Sequence, residues 1–170
     1  VYCLSGNVHR TGLFELPLGT TARELIFDCG GGVADGRTAL AFAVGGMGGG
    51  FVPPELGGLA LDGPGLADAG ASPGAGALRV LAEDACLVDE ALSTMGFLRD
   101  ASCGRCTPCR AGTAELHRLW AGVAHGEGRE TRGAIDDVVA VLRLASACGL
   151  GLSAPNRLRS VLRHWPELVQ

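Results

Sequence analysis

Cys103, Cys106 and Cys109 stand two residues apart from one another on what reads as a single loop, and a fourth cysteine, Cys148, follows beyond two helical patterns. Thiolates at this spacing bind soft metals, and a cubane iron-sulfur cluster needs four of them. A tight C-x2-C-x2-C turn can deliver only three, so Cys148 is the natural fourth ligand of a 4Fe-4S cluster. Gly104 permits the positive φ that a wrapping turn requires. Pro108 suits the first turn of a helix, where its missing N–H costs little. Cys109 and Arg110 then lie at a helix N-terminus, whose dipole favours an anionic group. Arg105 and Arg110 add positive charge, which should raise a cluster's reduction potential.

Two other thiol chemistries compete. Structural zinc uses a C-x2-C pair answered by a second short-spaced pair of Cys or His, whereas here the triplet is answered by a lone Cys148. His117 and His125 could complete a zinc site, although His117 falls on a helical stretch expected to point away from the cysteine loop. Disulfides are disfavoured by the odd total of seven cysteines and by the lack of a regular framework. Cys3, Cys29 and Cys86 lie among apolar or small residues and read as buried free thiols.

The elements around the thiols fall into two halves. Val1 to Leu4 and Leu13 to Leu16 are apolar runs separated by Gly6-Asn7 and Thr11-Gly12, which signals a hairpin. Thr20 or Thr21 can cap a helix through Glu24 that places Ala22, Leu25, Ile26 and Cys29 on one side and ends at Gly30-Gly31-Gly32. Leu40 to Val44 and Ala77 to Leu81 read as strands, giving the strand-strand-helix-strand order of a β-grasp fold. Between them, Gly45 to Gly50 lacks the Gly-Lys-Ser/Thr ending of a phosphate loop and reads as a flexible surface loop. Gly57 to Gly76 reads as an extended excursion.

From Asp84 the period becomes helical. The stripes are Leu87, Val88, Ala91, Leu92, Met95 and Leu98; then Leu116, Leu119, Trp120 and Val123. After a polar break from His125 to Arg132 come Ile135, Val138, Val139, Leu142 and Ala145, and finally Leu158, Val161, Leu162 and Trp165. Four stripes on short loops predict a four-helix bundle with the cysteines gathered at one end. The fold class is therefore α+β: a β-grasp domain over residues 1–82, with a Gly/Pro-rich excursion at about 45–76, and an all-α bundle over residues 83–170.

Read together, Ser102-Cys103-Gly104-Arg105-Cys106-Thr107-Pro108-Cys109-Arg110-Ala111-Gly112-Thr113 and the later Ala147-Cys148-Gly149-Leu150-Gly151 resemble the C-terminal iron-sulfur region of the NADH-oxidising flavoprotein subunit of respiratory complex I. The module recurs in NAD-dependent formate dehydrogenases and NAD-reducing hydrogenases. Gly6 to Thr20 resembles the soluble-ligand-binding β-grasp (SLBB, ubiquitin-like) domain that precedes the cluster domain in this family. The stretch Cys148 to Asn156 is closer to the formate dehydrogenase and hydrogenase branch, and Ala101 stands where the family usually has an acidic residue.

The resemblance implies an electron relay. The cluster, held by Cys103, Cys106, Cys109 and Cys148 with Ser102, Gly104, Arg105, Pro108 and Arg110 around it, takes electrons from FMN toward iron-sulfur centres in partner subunits. FMN and NAD belong to a large upstream domain that these residues do not contain, and the opening at Val1 reads as the C-terminal part of a longer chain, not catalytic alone. The alternative is a non-catalytic docking or ligand-binding module with a structural zinc or redox-silent site.

Composition narrows the field further. The 170 residues are 47% hydrophobic and 19% charged, with aromatics at only 5%, so the cores must be built from Leu, Val and Ala. A net charge of −4 gives no basic footprint for nucleic acid. No apolar run reaches the roughly 20 residues a bilayer requires, so no membrane insertion is expected and the cytoplasm is the expected location. His9, His117, His125 and His164 are scattered and form no catalytic set with Ser, Cys or Asp. Asp136-Asp137 reads as a solvated helix face.

Overall fold

The computed structural model describes residues 1–169 and, for residues 128–130, the backbone alone. The chain divides into two compact units, Val1–Ala85 and Cys86–Gln170. Gln170, the last residue of the expected helical domain, lies outside the described residues.

In the first unit β1 (Tyr2–Gly6) and β2 (Gly12–Phe14) form the expected hairpin, with Tyr2 opposite Phe14 and Leu4 opposite Gly12. The turn then leads to α1 (Ala22–Glu24), where Thr21 and Glu24 cap each other reciprocally: the Glu24 amide donates to the Thr21 hydroxyl and the Thr21 amide to the Glu24 carboxylate. The helix widens over Leu25–Cys29 and closes with Gly30 N–H donating to Leu25 O. Next come β3 (Ala39–Val44), β4 (Gly50–Val52), the short helix α2 (Gly65–Asp68) and β5 (Ala77–Ala82). The sheet order is β2-β1-β5-β3-β4. The first and last strands of the unit, β1 and β5, lie parallel at its centre, and the remaining pairs are antiparallel. Leu4, Ile26, Phe42, Val44, Leu78 and Val80 anchor the core against which the helix packs.

Two expectations for this unit need correction. Gly45 to Gly50 is not a flexible surface loop: Gly45, Gly49 and Gly50 are buried, and a β-carbon on Gly45 or Gly49 would overlap the carbonyl oxygens of Ser72 or Val44. Backbone packs directly on backbone there, and the turn feeds β4, a strand too short at three residues to show a period. The stretch Gly57 to Gly76 is not an extended excursion either, because Leu61, Leu66, Ala69 and Ala71 enter the core.

The second unit is helical: α3 (Leu87–Asp100), α4 (Thr107–Ala124), α5 (Gly128–Ala145), α6 (Gly149–Ser153) and α7 (Asn156–His164). The architecture of the chain is α+β, a mixed sheet with a helix followed by a helical unit. α4 packs between α3 and α5, α7 lies against α3, and the short α6 touches α4 and α5. Leu87, Met95, Leu116, Trp120, Ile135, Leu142, Leu158 and Val161 are almost wholly buried, as their spacing requires. Trp120 Nε1 donates to Val88 O at 2.9 Å, which satisfies the indole inside the core. Ala145, by contrast, is exposed, and the polar break is shorter than expected because Thr131 and Arg132 already lie inside α5. Arg157 is buried and donates to the Thr94 hydroxyl at 2.6 Å, a polar contact that no period announces. Among the described residues no helix is long and apolar enough to cross a membrane.

Candidate iron-sulfur site

The loop between α3 and α4 carries the cysteine triplet, and its shape follows from a few local bonds. Gly104 takes φ +75°, a left-handed conformation that a side-chain-bearing residue adopts at a cost. Arg110 reaches back from the first turn of α4 to donate to Gly104 O at 3.2 Å, tying the loop to the helix it precedes. Ser102 accepts the Gly104 amide at 3.4 Å and lies 3.5 Å from Cys109 Sγ. Cys106 is the N-cap residue of α4, with Pro108 in the first turn, so the helix N-terminus opens on the thiols as expected. Cys109 is buried, and the Thr113 hydroxyl donates to its carbonyl at 2.8 Å. Cys103 and Arg105 are exposed.

Cys148 stands at the start of the second unit's shortest α-helix, as the N-cap of α6. Its neighbours on either side close on the triplet. The amide of Ala147, ahead of that of Cys109, hydrogen-bonds the Cys106 sulfur and holds its thiol below the ordinary thiol range, against the opposing push of desolvation. On the other side, Gly151 lies so close to the triplet that a β-carbon there would stand 3.1 Å from Cys109 Cβ and would overlap the Ser146 hydroxyl. The loop bearing Cys148 is thus packed against both Cys106 and Cys109. A lowered thiol favours the thiolate, which is the form that ligates metal.

This donor set fits an iron-sulfur cluster. All four cysteines are free thiols, two of them cap helices, and the glycine at 151 keeps a side chain out of the space beside Cys109. The buried Ser146 hydroxyl has no hydrogen-bond partner, which leaves a polar atom at the site's wall still to be satisfied. Among the described residues no three His, Cys, Asp or Glu side chains are grouped as one metal ion would need. The histidines stand elsewhere. His125 contacts Ala121 O at the C-terminus of α4, the end opposite Cys106, and His117 Nδ1 faces Arg99 Nη1 at 3.2 Å.

The remaining cysteines are free, as expected, but not buried: Cys86 is exposed at the start of α3, and Cys3 and Cys29 are half-buried. The residue that sequence reasoning passed over is Ser146. Its signal was present in the Ser-x-Cys spacing to Cys148, but only the fold shows that its hydroxyl is buried against Gly151, which also adjoins Cys109.

Comparison with known proteins agrees with this geometry. Residues 89–170 match the NADH-ubiquinone oxidoreductase-F iron-sulfur binding region, and residues 1–52 match the SLBB domain. The NADP-reducing hydrogenase subunit HndC of Solidesulfovibrio fructosivorans is 35% identical over 165 residues, which cover 95% of this chain and 33% of that protein. The second F-type component of the NADH-quinone oxidoreductase of Rhizobium meliloti is 33% identical over 168 residues, 97% of this chain and 39% of its own. The crystal structure of an NAD+-reducing [NiFe]-hydrogenase in the H2-reduced state superposes with a TM-score of 0.84 at 29% identity, covering 99% of this chain and 28% of that one. The chain therefore spans well under half the length of the curated relatives it matches. Residues 1–52 thus match an SLBB domain and residues 89–170 the iron-sulfur binding region, so the chain corresponds to that part of the F-type NADH-quinone oxidoreductase family.

Proposed function

We propose that the chain is the cluster-carrying part of an NAD(P)-linked oxidoreductase, with Cys103, Cys106, Cys109 and Cys148 as the ligands of one 4Fe-4S cluster. The observation that carries the reading is the close approach of Gly151, three residues beyond Cys148, to Cys109, where a β-carbon would stand 3.1 Å from Cys109 Cβ, which joins the triplet to the loop of the distant cysteine. When bound, such a cluster supplies one-electron storage and transfer. The protein's own part is to hold the four thiolates in place. Cys106 and Cys148 do so from helix N-caps, where the helix dipole favours the negative charge of the site. Ser102 positions Cys109, and Arg110, Gly104 and Pro108 fix the loop between the thiols. Arg105 and Arg110 contribute positive charge, which favours the reduced, more negative state.

By family likeness, electrons come from NADH through FMN in a domain beyond this chain and leave to iron-sulfur centres of partner subunits, in the cytoplasm, where thiols stay reduced. We assign residues 1–82 to the SLBB domain and 83–170 to the cluster domain. A structural zinc is not favoured, since the region of residues 89–170 that carries all four thiols matches an iron-sulfur binding region.

Anaerobic reconstitution should give a brown protein with about four iron and four labile sulfide per chain. Dithionite reduction should produce an EPR signal that zinc cannot give. Cys106→Ala and Cys148→Ala should each lose most of the iron; variants that keep a wild-type iron content would remove the ligand assignment.

A further inference from the structure

Ser146 is the last residue before the chain turns from α5 into the loop of Cys148. Its hydroxyl oxygen is sealed from solvent and has no hydrogen-bond partner. Burying a hydroxyl without a partner costs roughly 1–3 kcal/mol, so an unmatched donor here requires a reason. Ser153 shows the ordinary solution nearby, with its hydroxyl donating to Gly149 O at 2.7 Å inside α6. Ser146 has no such outlet. Its side chain is instead pressed against Gly151, at the point where a β-carbon would also crowd Cys109 Cβ. Any side chain at position 151 would displace the hydroxyl, so the glycine keeps the serine in place beside the buried cysteine. Cys109 is the cysteine adjoining that point, and its sulfur becomes a strong acceptor once it is a thiolate ligand or an inorganic sulfide stands beside it.

The geometry points to Ser146 as a positioning residue whose hydroxyl would donate a hydrogen bond to a sulfur atom at the cluster site once that site is loaded. It fixes the approach of the Cys148 loop and raises the reduction potential. This rests on the ligand assignment proposed above. The physical basis of the potential shift is direct: a donor aimed at sulfur stabilises the more electron-rich state, and its loss favours the oxidised one.

The test compares the reconstituted wild-type chain with Ser146→Ala and Ser146→Thr, each measured for iron and sulfide content, midpoint potential by EPR-monitored titration, and hyperfine coupling to exchangeable protons after transfer to D2O. Ser146→Ala should load iron and shift its potential downward. A tenfold loss in the equilibrium constant for reduction would read as 59 mV for one electron. It should also lose one exchangeable proton coupling. Ser146→Thr, which keeps the hydroxyl, should recover both. Should Ser146→Ala load poorly, recovery of iron and potential in Ser146→Thr still supports the hydroxyl's role, and failure to recover them overturns it. A Ser146→Ala cluster with wild-type potential and an unchanged proton coupling overturns this inference alone. A wild-type chain that takes up no cluster overturns it together with the function on which it rests.

Discussion

At the β3–β4 turn, a β-carbon on Gly49 would collide with the Val44 carbonyl and one on Gly45 with the Ser72 carbonyl, whereas at Gly104 in the cysteine loop the nearest atom is Arg110 Cδ at 4.0 Å. Gly45 and Gly104 both hold a positive φ, +90° and +75°. What differs is the use of the vacated volume. In the sheet unit the protein's own backbone fills it, and the turn closes into a packed part of the domain. In the cysteine loop the space stays open, and the glycine serves conformation alone, letting the chain wrap around thiols. A glycine cluster is thus informative only together with what occupies the place of its missing side chains.

Substitution at the sheet turn should break this contrast most visibly. Gly49→Ala forces a side chain into a backbone carbonyl, and thermal or denaturant unfolding should show a loss of about 3–5 kcal/mol, the range reserved for severe steric or burial defects. A loss near zero would mean that the turn is as loose as its composition suggests.

Gly104→Ala sharpens the other side of the comparison. It meets no atom, so the expected cost is only the left-handed strain, about 1–2 kcal/mol, read by denaturant titration of the metal-free chain. Gly104→Asn should cost less, because Asn tolerates that conformation better. Equal losses at positions 49 and 104 would erase the distinction between packing and conformation.

The smallest effect separates the two units by pH. Burial, and then the nearby Arg99, hold the His117 imidazole below its ordinary value, with Asp100 pulling the other way. The unfolded chain therefore takes up this proton first as pH falls. The stabilisation from a neutral His117 is present above about pH 6.5 and is lost as pH drops through the depressed folded value. His117→Gln should flatten the decline in stability between about pH 7 and 5, while Gly49→Ala should shift the whole profile without changing its slope there. A wild-type curve already flat across that window would remove His117 from the account.

Much of the helical unit was legible because its stripes are long. Over α3 the spacing of Leu87, Val88, Ala91, Met95 and Leu98 repeats often enough to mark one face, and all five are buried. The ligand candidates were legible for a different reason: two-residue gaps between thiols are rare outside metal chemistry, and Pro108 announces the helix behind them. Short elements were not. β4 shows no period over three residues, α6 is five residues of mostly glycine and leucine, and Gly57 to Gly76 hides Leu61 and Leu66 among residues that usually mark loops. Cys3, Cys29 and Cys86 were misjudged because small or apolar neighbours in sequence say little about neighbours in space.

Residue types and local periods alone determined that this chain has a sheet-forming half and a helical half, and that four cysteines are its metal-binding candidates. Those signals act over a few residues, through side-chain period and backbone preference, and so survive being read along a line. The tertiary structure alone decided that the Ala147 amide meets the Cys106 sulfur, that Gly151 leaves room for Ser146 beside Cys109, and that the glycines after β3 are packed and closed. Each depends on segments far apart in the chain arriving at one point, and short-range spacing does not encode that distance.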